Sequence, residues 1–347
     1  MAPARVVRLK GGHRLDGDGP VVAAGNRFLD QLVVRAFSPA TVRAYAFDLA
    51  NFDRFLADSS LGLPDVEPTD VFSYLEWQTG SRGVAGNVVT LRPKRPAPAT
   101  MNRRVAAVRG LFEYLVMCGE RGANPVPAAR RAAGRGQRGG LLGHVAARPR
   151  SGGRLVRQPS RLPESLAAED VAAFFVELQT HRDRAVMLAM VLGGLRAAEV
   201  RGLRLADVDM GLRRVRVIGK GGKERVVPVD DVFFTHCAAY LRSERPAGCS
   251  TLECFVVLRG PTAGQAMTEA GMRKVFRTHR ERSGATRVRP HRLRHTYGTE
   301  LAAAGVDLLA LRELMGHASP ETTVRYVHLS SDTLAAEFAA ARAKATR

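Results

Sequence analysis

The chain has 347 residues, enough for a sizeable core and two domains, and its hydrophobic fraction of 45% is that of a globular protein. Lysine and arginine total 53 against 33 acids, a formal net charge of +20, which points to a polyanionic partner held through counterion release. No apolar run is long enough to span a bilayer and the first residues have no signal-peptide core; the four cysteines (Cys118, Cys237, Cys249, Cys254) form no CxxC pair, so a cytoplasmic protein with reduced thiols and no zinc site is expected.

Taken in chain order, residues 1–20 read as an N-terminal tail and residues 21–120 as a helical domain. In "SPATVRAYAFDLANFDRFLA" Ser38 is an N-cap and Pro39 the first helical residue. Val42, Tyr45, Leu49, Phe52 and Leu56 then recur every three or four positions as one apolar stripe. "PTDVFSYLEWQ" predicts a further helix, and "ATMNRRVAAVRGLFEYLVMCG" another that stops at Gly119 and buries Val105, Val108, Leu111, Phe112 and Leu115. Arg103, Arg104 and Arg109 on that helix face either solvent or phosphate.

Residues 121–161 differ in kind. They hold ten arginines, eight glycines and no acid, so half of the net charge sits in a segment too glycine-rich to fold alone. The segment reads as an interdomain linker that becomes ordered on a nucleic acid, with Arg130, Arg131 and Arg135 among its phosphate-binding candidates. A passive insertion is the competing reading.

From "LPESLAAEDVAAFFVELQT" the pattern is globular again. "HRDRAVMLAMVLGG" predicts a buried helix closed by paired glycines. "RRVRVIG" and "ERVVPV" flank the turn "KGGK" and predict a β-hairpin. Helices return at "TEAGMRKVFRTHRERSG", "RPHRLRHTYGTELAAAG", "DLLALRELMGH" and "SPETTVRYVHL", each with its own start or stop signal. The fold class expected is therefore mainly α with a small β-hairpin or sheet.

Within this region "PHRLRH" starts a helix at Pro290. His291 and Arg294, three apart, share a face; His295, one step further round, need not join them. Arg196 follows the buried helix in "GGLRAAEV", where it can pair with Glu199 or Asp207. The hairpin turn carries Lys220 and Lys223, "LMGH" ends in His317, and "TTVRYVHL" contains Tyr326. Taken singly, each residue has an ordinary structural reading: an ion-paired arginine, capping histidines, a solvated turn lysine, a core tyrosine.

The ordered series "GLRAAEV", "GKGGKERVVPV", "HRLRH", "LMGH" and "Y" resembles the tyrosine recombinases, the family of phage integrases and Xer-type recombinases. The resemblance covers about residues 162–330, and residues 21–120 are similar to the family's SAM-like core-binding domain. It implies an N-terminal helical core-binding domain and an α+β catalytic domain. It further implies a site-specific DNA recombinase that cleaves and rejoins DNA through a 3′-phosphotyrosine intermediate, in integration, excision or resolution of DNA elements. By the same resemblance Arg196 and Arg294 clamp the scissile phosphate, and His291 and His317 donate to it or move protons. Tyr326 is the nucleophile, and Lys220, with Lys223 as its rival, protonates the leaving 5′-hydroxyl. No metal and no cofactor is implied. The expected partners are double-stranded DNA with short inverted core sites, a homotetramer on synapsed DNA and a monomer when free, in a nucleoid-associated setting. Residues 331–347 read as a terminal helix docking on a neighbouring protomer or on its own domain. A type IB topoisomerase-like strand transferase and a non-catalytic DNA-binding protein are the alternatives.

Overall fold

The computed structural model of the protein describes residues 4–9, 12–80, 96–127, 155–157, 165–219 and 221–316. The chain divides into two compact units, Met1–Ser160 and Arg161–Arg347.

The first unit is built on helices α1 (Val22–Val34), α2 (Pro39–Asp58), α3 (Pro68–Gln78) and α4 (Pro98–Met117). Ser38 is extended and its hydroxyl accepts the Thr41 amide at 3.2 Å, so α2 starts where its cap and proline require. At the start of α3 the Asp70 carboxylate accepts the Glu67 amide at 2.8 Å. Val42, Leu49, Phe52 and Leu56 of α2 are buried with Val105, Val108, Leu111, Phe112 and Leu115 of α4. Phe52 meets Tyr74 and Phe112 edge-on, a geometry that aromatic quadrupoles favour.

Two expectations for this unit are corrected. Residues 1–20 are not simply a tail: β1 (Arg5–Leu9) and β2 (Gly12–Asp16) pair antiparallel, Arg5 opposite Asp16. The cause is distant in sequence. Asp53, fully buried in α2, accepts the amides of Ala4 and Val21 at 2.9 Å each, and Asn26 exchanges two 2.9 Å hydrogen bonds with the backbone of Leu15. Likewise, residues 121–127 and 155–157 of the basic segment belong to the unit. Arg121 donates to the carbonyls of Leu63, Pro64 and Val66 and lies over the Phe112 ring, and Val156 pairs through both backbone groups with the Asn102 side chain. The arginine-rich middle lies outside the described residues.

The second unit contains α5 (Ala168–Val176), α6 (His181–Val191), α7 (Ala197–Gly202), the strands β3 (Val208–Asp209), β4 (Arg214–Ile218) and β5 (Glu224–Pro228), then α8 (Asp231–Ser243), α9 (Glu269–Ser283), α10 (Pro290–Ala303) and α11 (Leu308–Met315). Every residue of α6 from Ala185 to Val191 is buried, as expected of a helix that is apolar all round; α8 and α10 pack on it. The helix α8 was not among the sequence expectations; it buries Phe233, Phe234, Cys237 and Tyr240. The strands form one antiparallel sheet in the order β3-β4-β5. In the predicted hairpin turn the Gly219 amide donates to the Lys223 carbonyl at 2.7 Å. The short helix α11 stands apart from the main core, packed in a small cluster of Tyr297, Leu311 and Met315. The expected class, mainly helical with small antiparallel sheets, is the observed one.

Because Asp53 satisfies two otherwise unpaired amides, Asp53→Ala should cost roughly 2–5 kcal/mol. Urea unfolding followed by tryptophan fluorescence measures the loss. Hydrogen exchange should show the amides of Ala4 and Val21 losing protection first.

Candidate active site

The site begins with Glu199 in the first turn of α7, where a carboxylate faces the positive end of the helix. Its Oε2 accepts the Arg196 amide at 2.8 Å and its Oε1 the Arg196 Nη1 at 2.7 Å. Arg225 arrives from β5 and grips both oxygens through Nη1 and Nη2 at 2.9 Å each, an end-on bidentate pair. The Nη1 of Arg294, from α10, lies 3.9 Å from Oε2. Burial alone would raise this carboxyl, but the hydrogen bonds from Arg225 and Arg196 outweigh it and hold its pKa at about 2. Three guanidinium groups around one carboxylate leave an excess of positive charge.

The same three arginines close the end of α11. The last carbonyls of a helix have no partner within it. Here Arg225 Nε donates to the Leu314 carbonyl at 2.9 Å, Arg294 Nη2 to that of Met315, and Arg196 Nη2 to that of Gly316 at 2.9 Å. Three consecutive carbonyls are thus taken by three arginines from three different elements. Arg294 also donates to the Gly194 carbonyl, and its side chain is only 5% exposed, whereas that of Arg196 is 34% exposed. Glycine is required at both backbone approaches. A Cβ on Gly194 (φ 61°) would lie 2.4 Å from the Tyr297 ring, and one on Gly316 (φ 58°) 2.8 Å from Arg225 Nη1.

His291 opens α10 beside these charges. Partial desolvation, then the charges of Arg294 and Arg196, lower its pKa below the ordinary imidazole value, although the side chain keeps solvent contact. His295 does join it, contrary to the expectation from spacing: the two Nε2 atoms are 2.9 Å apart and the ring centroids 4.2 Å, because positions four apart stack on one helical face. Of the two acids open to Arg196, Glu199 is the partner, while Asp207 binds Arg216 at 2.6 Å.

Arg196, His291 and Arg294 are therefore brought together. Lys220, His317 and Tyr326 lie outside the described residues, as do Arg130, Arg131, Arg135 and residues 331–347. Gly219 and Gly316, which precede Lys220 and His317 in the chain, both belong to this neighbourhood: a Cβ on Gly219 would lie 3.5 Å from Glu199 Oε1 and from Arg225 Nη1. Sequence reasoning missed Arg225. Its signal was the alternation of β5, in which Arg225 shares the inward face with the buried Val227.

The helix α4 candidates divide. Arg109 is buried and donates to the Pro127 carbonyl at 2.6 Å, so its expected availability to solvent or phosphate is corrected: it ties the chain beyond α4 to the unit. Arg104 donates to Gln78 Oε1 at 3.0 Å. Arg103, with its side chain 45% exposed, pairs with the buried Asp48 at 2.5 Å. Burial pushes the Asp48 carboxyl up to about 6 in spite of that pairing.

Comparison with known proteins agrees with this architecture. Residues 164–332 match the phage integrase family, and residues 26–119 match the phage integrase N-terminal SAM-like domain. The tyrosine recombinase XerC of Myxococcus xanthus is 31% identical over 326 residues, covering 89% of this chain and 93% of that protein. The XerC of Staphylococcus haemolyticus is 29% identical over 314 residues, covering 88% and 92%. Among solved structures, the XerH site-specific recombinase bound to palindromic difH substrate in a post-cleavage complex has a TM-score of 0.63 at 20% identity, covering 90% of this chain and 83% of that one. The Tn1549 transposon integrase in complex with circular intermediate DNA has a TM-score of 0.60 at 17% identity, covering 91% and 98%. At these identities the structural likeness concerns the fold.

Glu199 sets a stability limit in acid. Its pKa falls from an ordinary 4.5 to about 2 on folding, so its contribution is complete above the ordinary value and is lost as pH falls towards the folded one. Over that interval it amounts to on the order of 3 kcal/mol. Relative to Glu199→Gln, the native protein should lose roughly 2 kcal/mol of its advantage between about pH 4.5 and about pH 3, read by urea unfolding at each pH. An advantage independent of pH would mean that the carboxylate is not held ionised by its arginines.

Proposed function

The chain belongs to the tyrosine recombinase family, enzymes that break and rejoin DNA, and from that premise we propose how its own residues act in site-specific recombination. The observation that carries the reading is the convergence of Arg196 and Arg294 on one carboxylate and on neighbouring carbonyls of α11. Two permanently charged, planar donors held side by side suit the non-bridging oxygens of a phosphodiester, whose negative charge grows during attack.

In the proposed sequence the Tyr326 hydroxyl oxygen bonds to phosphorus and the bond from phosphorus to the 5′-oxygen breaks. The phenolic proton passes to His291, whose lowered pKa leaves it neutral and able to accept. Lys220 gives a proton to the departing 5′-oxygen, and His317, next after Gly316, donates to the phosphate. The 3′-phosphotyrosine keeps the energy of the broken bond, so a 5′-hydroxyl from a partner strand rejoins the DNA by the reverse steps. The substrate is double-stranded DNA with short inverted core sites. Two such sites are synapsed by a homotetramer that assembles from monomers, in the cytoplasm at the nucleoid. The exposed Arg103 and the half-buried Arg104 of the first unit, together with arginines of the basic segment including Arg130, Arg131 and Arg135, contact the backbone without reading sequence.

Tyr326→Phe should bind DNA normally and form no covalent adduct on a nicked suicide substrate. Lys220→Ala should also fail on ordinary DNA, but a 5′-phosphorothiolate, whose sulfur leaves without a proton, should restore cleavage to Lys220→Ala and not to Tyr326→Phe. Rescue of Lys223→Ala instead would transfer the acid role to Lys223. A wild-type protein that relaxes supercoils but never joins two sites would be a topoisomerase-like transferase.

For the basic segment, five changes to glutamine (Arg130, Arg131, Arg135, Arg148, Arg150) should weaken binding to unrelated sequences alike. The slope of log affinity against log salt should become shallower by up to about 4. An unchanged slope would make the segment a passive insertion.

A further inference from the structure

We propose that Arg225 is a positioning residue for the phosphate clamp, setting the geometry of Arg196 and Arg294 without itself touching DNA. The inference rests on the proposed function and concerns a residue outside the set assigned to the reaction there. Arg225 is almost enclosed, its side chain 9% exposed, and no step of the proposed reaction calls on it. Three of its donors are already engaged at 2.9 Å: two on the oxygens of Glu199 and one on the Leu314 carbonyl.

Those acceptors are the supports of the clamp. Glu199 Oε1 receives both Arg225 Nη1 and Arg196 Nη1, so the two-pronged grip of Arg225 determines how the carboxylate is turned towards Arg196. The carbonyl that Arg225 takes is the first of the three at the end of α11, whose next two seat Arg294 and Arg196. Among the described residues the buried apolar cluster that holds α11 is small, Tyr297, Leu311 and Met315 with Leu301, Ala302 and Val306 against it, so polar bonds carry much of its placement. Gly316 supplies the room: its Cα stands where any Cβ would meet the Arg225 guanidinium. Arg225 thus links a strand, a helix start and a helix end. A lysine there would keep the charge and lose the planar fork.

The test uses the full-length protein with Arg225→Lys and Arg225→Met. Three suicide substrates are compared: the normal phosphate, a methylphosphonate at the scissile position, and the 5′-phosphorothiolate. A methylphosphonate has no formal negative charge, so it depends least on a well-placed pair of guanidinium groups. Arg225→Lys should keep DNA affinity and a cooperative unfolding transition while losing about 100-fold in single-turnover cleavage of the phosphate, the scale expected of an ångström-sized misplacement. Relative to wild type on the same substrate, the defect should shrink at least tenfold on the methylphosphonate and stay undiminished on the phosphorothiolate. Rescue by the phosphorothiolate would overturn the proposal by showing that Arg225 serves the general acid on the hairpin. An equal defect on all three substrates would reduce Arg225 to a folding residue, and an unaltered rate would remove its role. Arg225→Met should show the same order of substrates with a larger loss; if only this variant is defective, charge rather than geometry is what the site needs. Failure of the underlying recombinase reading is separate and visible in wild type, as the absence of any covalent adduct.

Discussion

The buried carboxylate of Glu199 is the constraint on which the catalytic unit depends. A lone carboxylate taken from water is strongly disfavoured, and Glu199 escapes that cost only because Arg225 and Arg196 surround it. The dependence is mutual. Guanidinium groups as enclosed as those of Arg294 and Arg225 need acceptors in fixed directions, and Glu199 together with the final carbonyls of α11 supplies them. One acid and one helix end therefore hold three cations in fixed directions, the preorganisation on which the proposed phosphate clamp relies.

The first unit uses the same physics for another end. Asp53 and Asp48 are buried in α2, yet one accepts backbone amides and the other an arginine. Asp53 joins the N-terminal hairpin to the helices through two neutral donors. At Asp48 burial outweighs the half-exposed Arg103 that pairs with it and the charge of Arg104, and its carboxyl is pushed up, the opposite of Glu199. Burial acts on both acids; the number and enclosure of their donors decide the direction.

The charge of the chain also has more than one meaning. A total of +20 identifies the class of partner, but several arginines that contribute to it are internal fasteners. Arg109 and Arg121 hold the chain that follows α4, and Arg225 holds the end of α11. Charge summed over a sequence therefore overstates the surface that a polyanion meets.

By itself the sequence determined what depends on short-range periodicity and on residue chemistry: Ser38 and Pro39 opening α2, the stripe of α4, the apolar α6, the hairpin around the glycine turn, and the ordered arginines and histidines that resemble a recombinase. Local spacing also put His291 and Arg294 on one face. It left Arg196 with two possible partners, read Arg109 as a surface cation, set His295 aside and did not single out Arg225, although the alternation of β5 marked its position as inward. Only the tertiary structure decided these, since each depends on groups brought together from separate elements. A carboxylate takes its pKa from whatever cations reach it, and an arginine is a fastener or a free cation according to which carbonyls lie within 3 Å. Those distances follow from how α7, β5, α10 and α11 pack, and no window of neighbouring residues contains them.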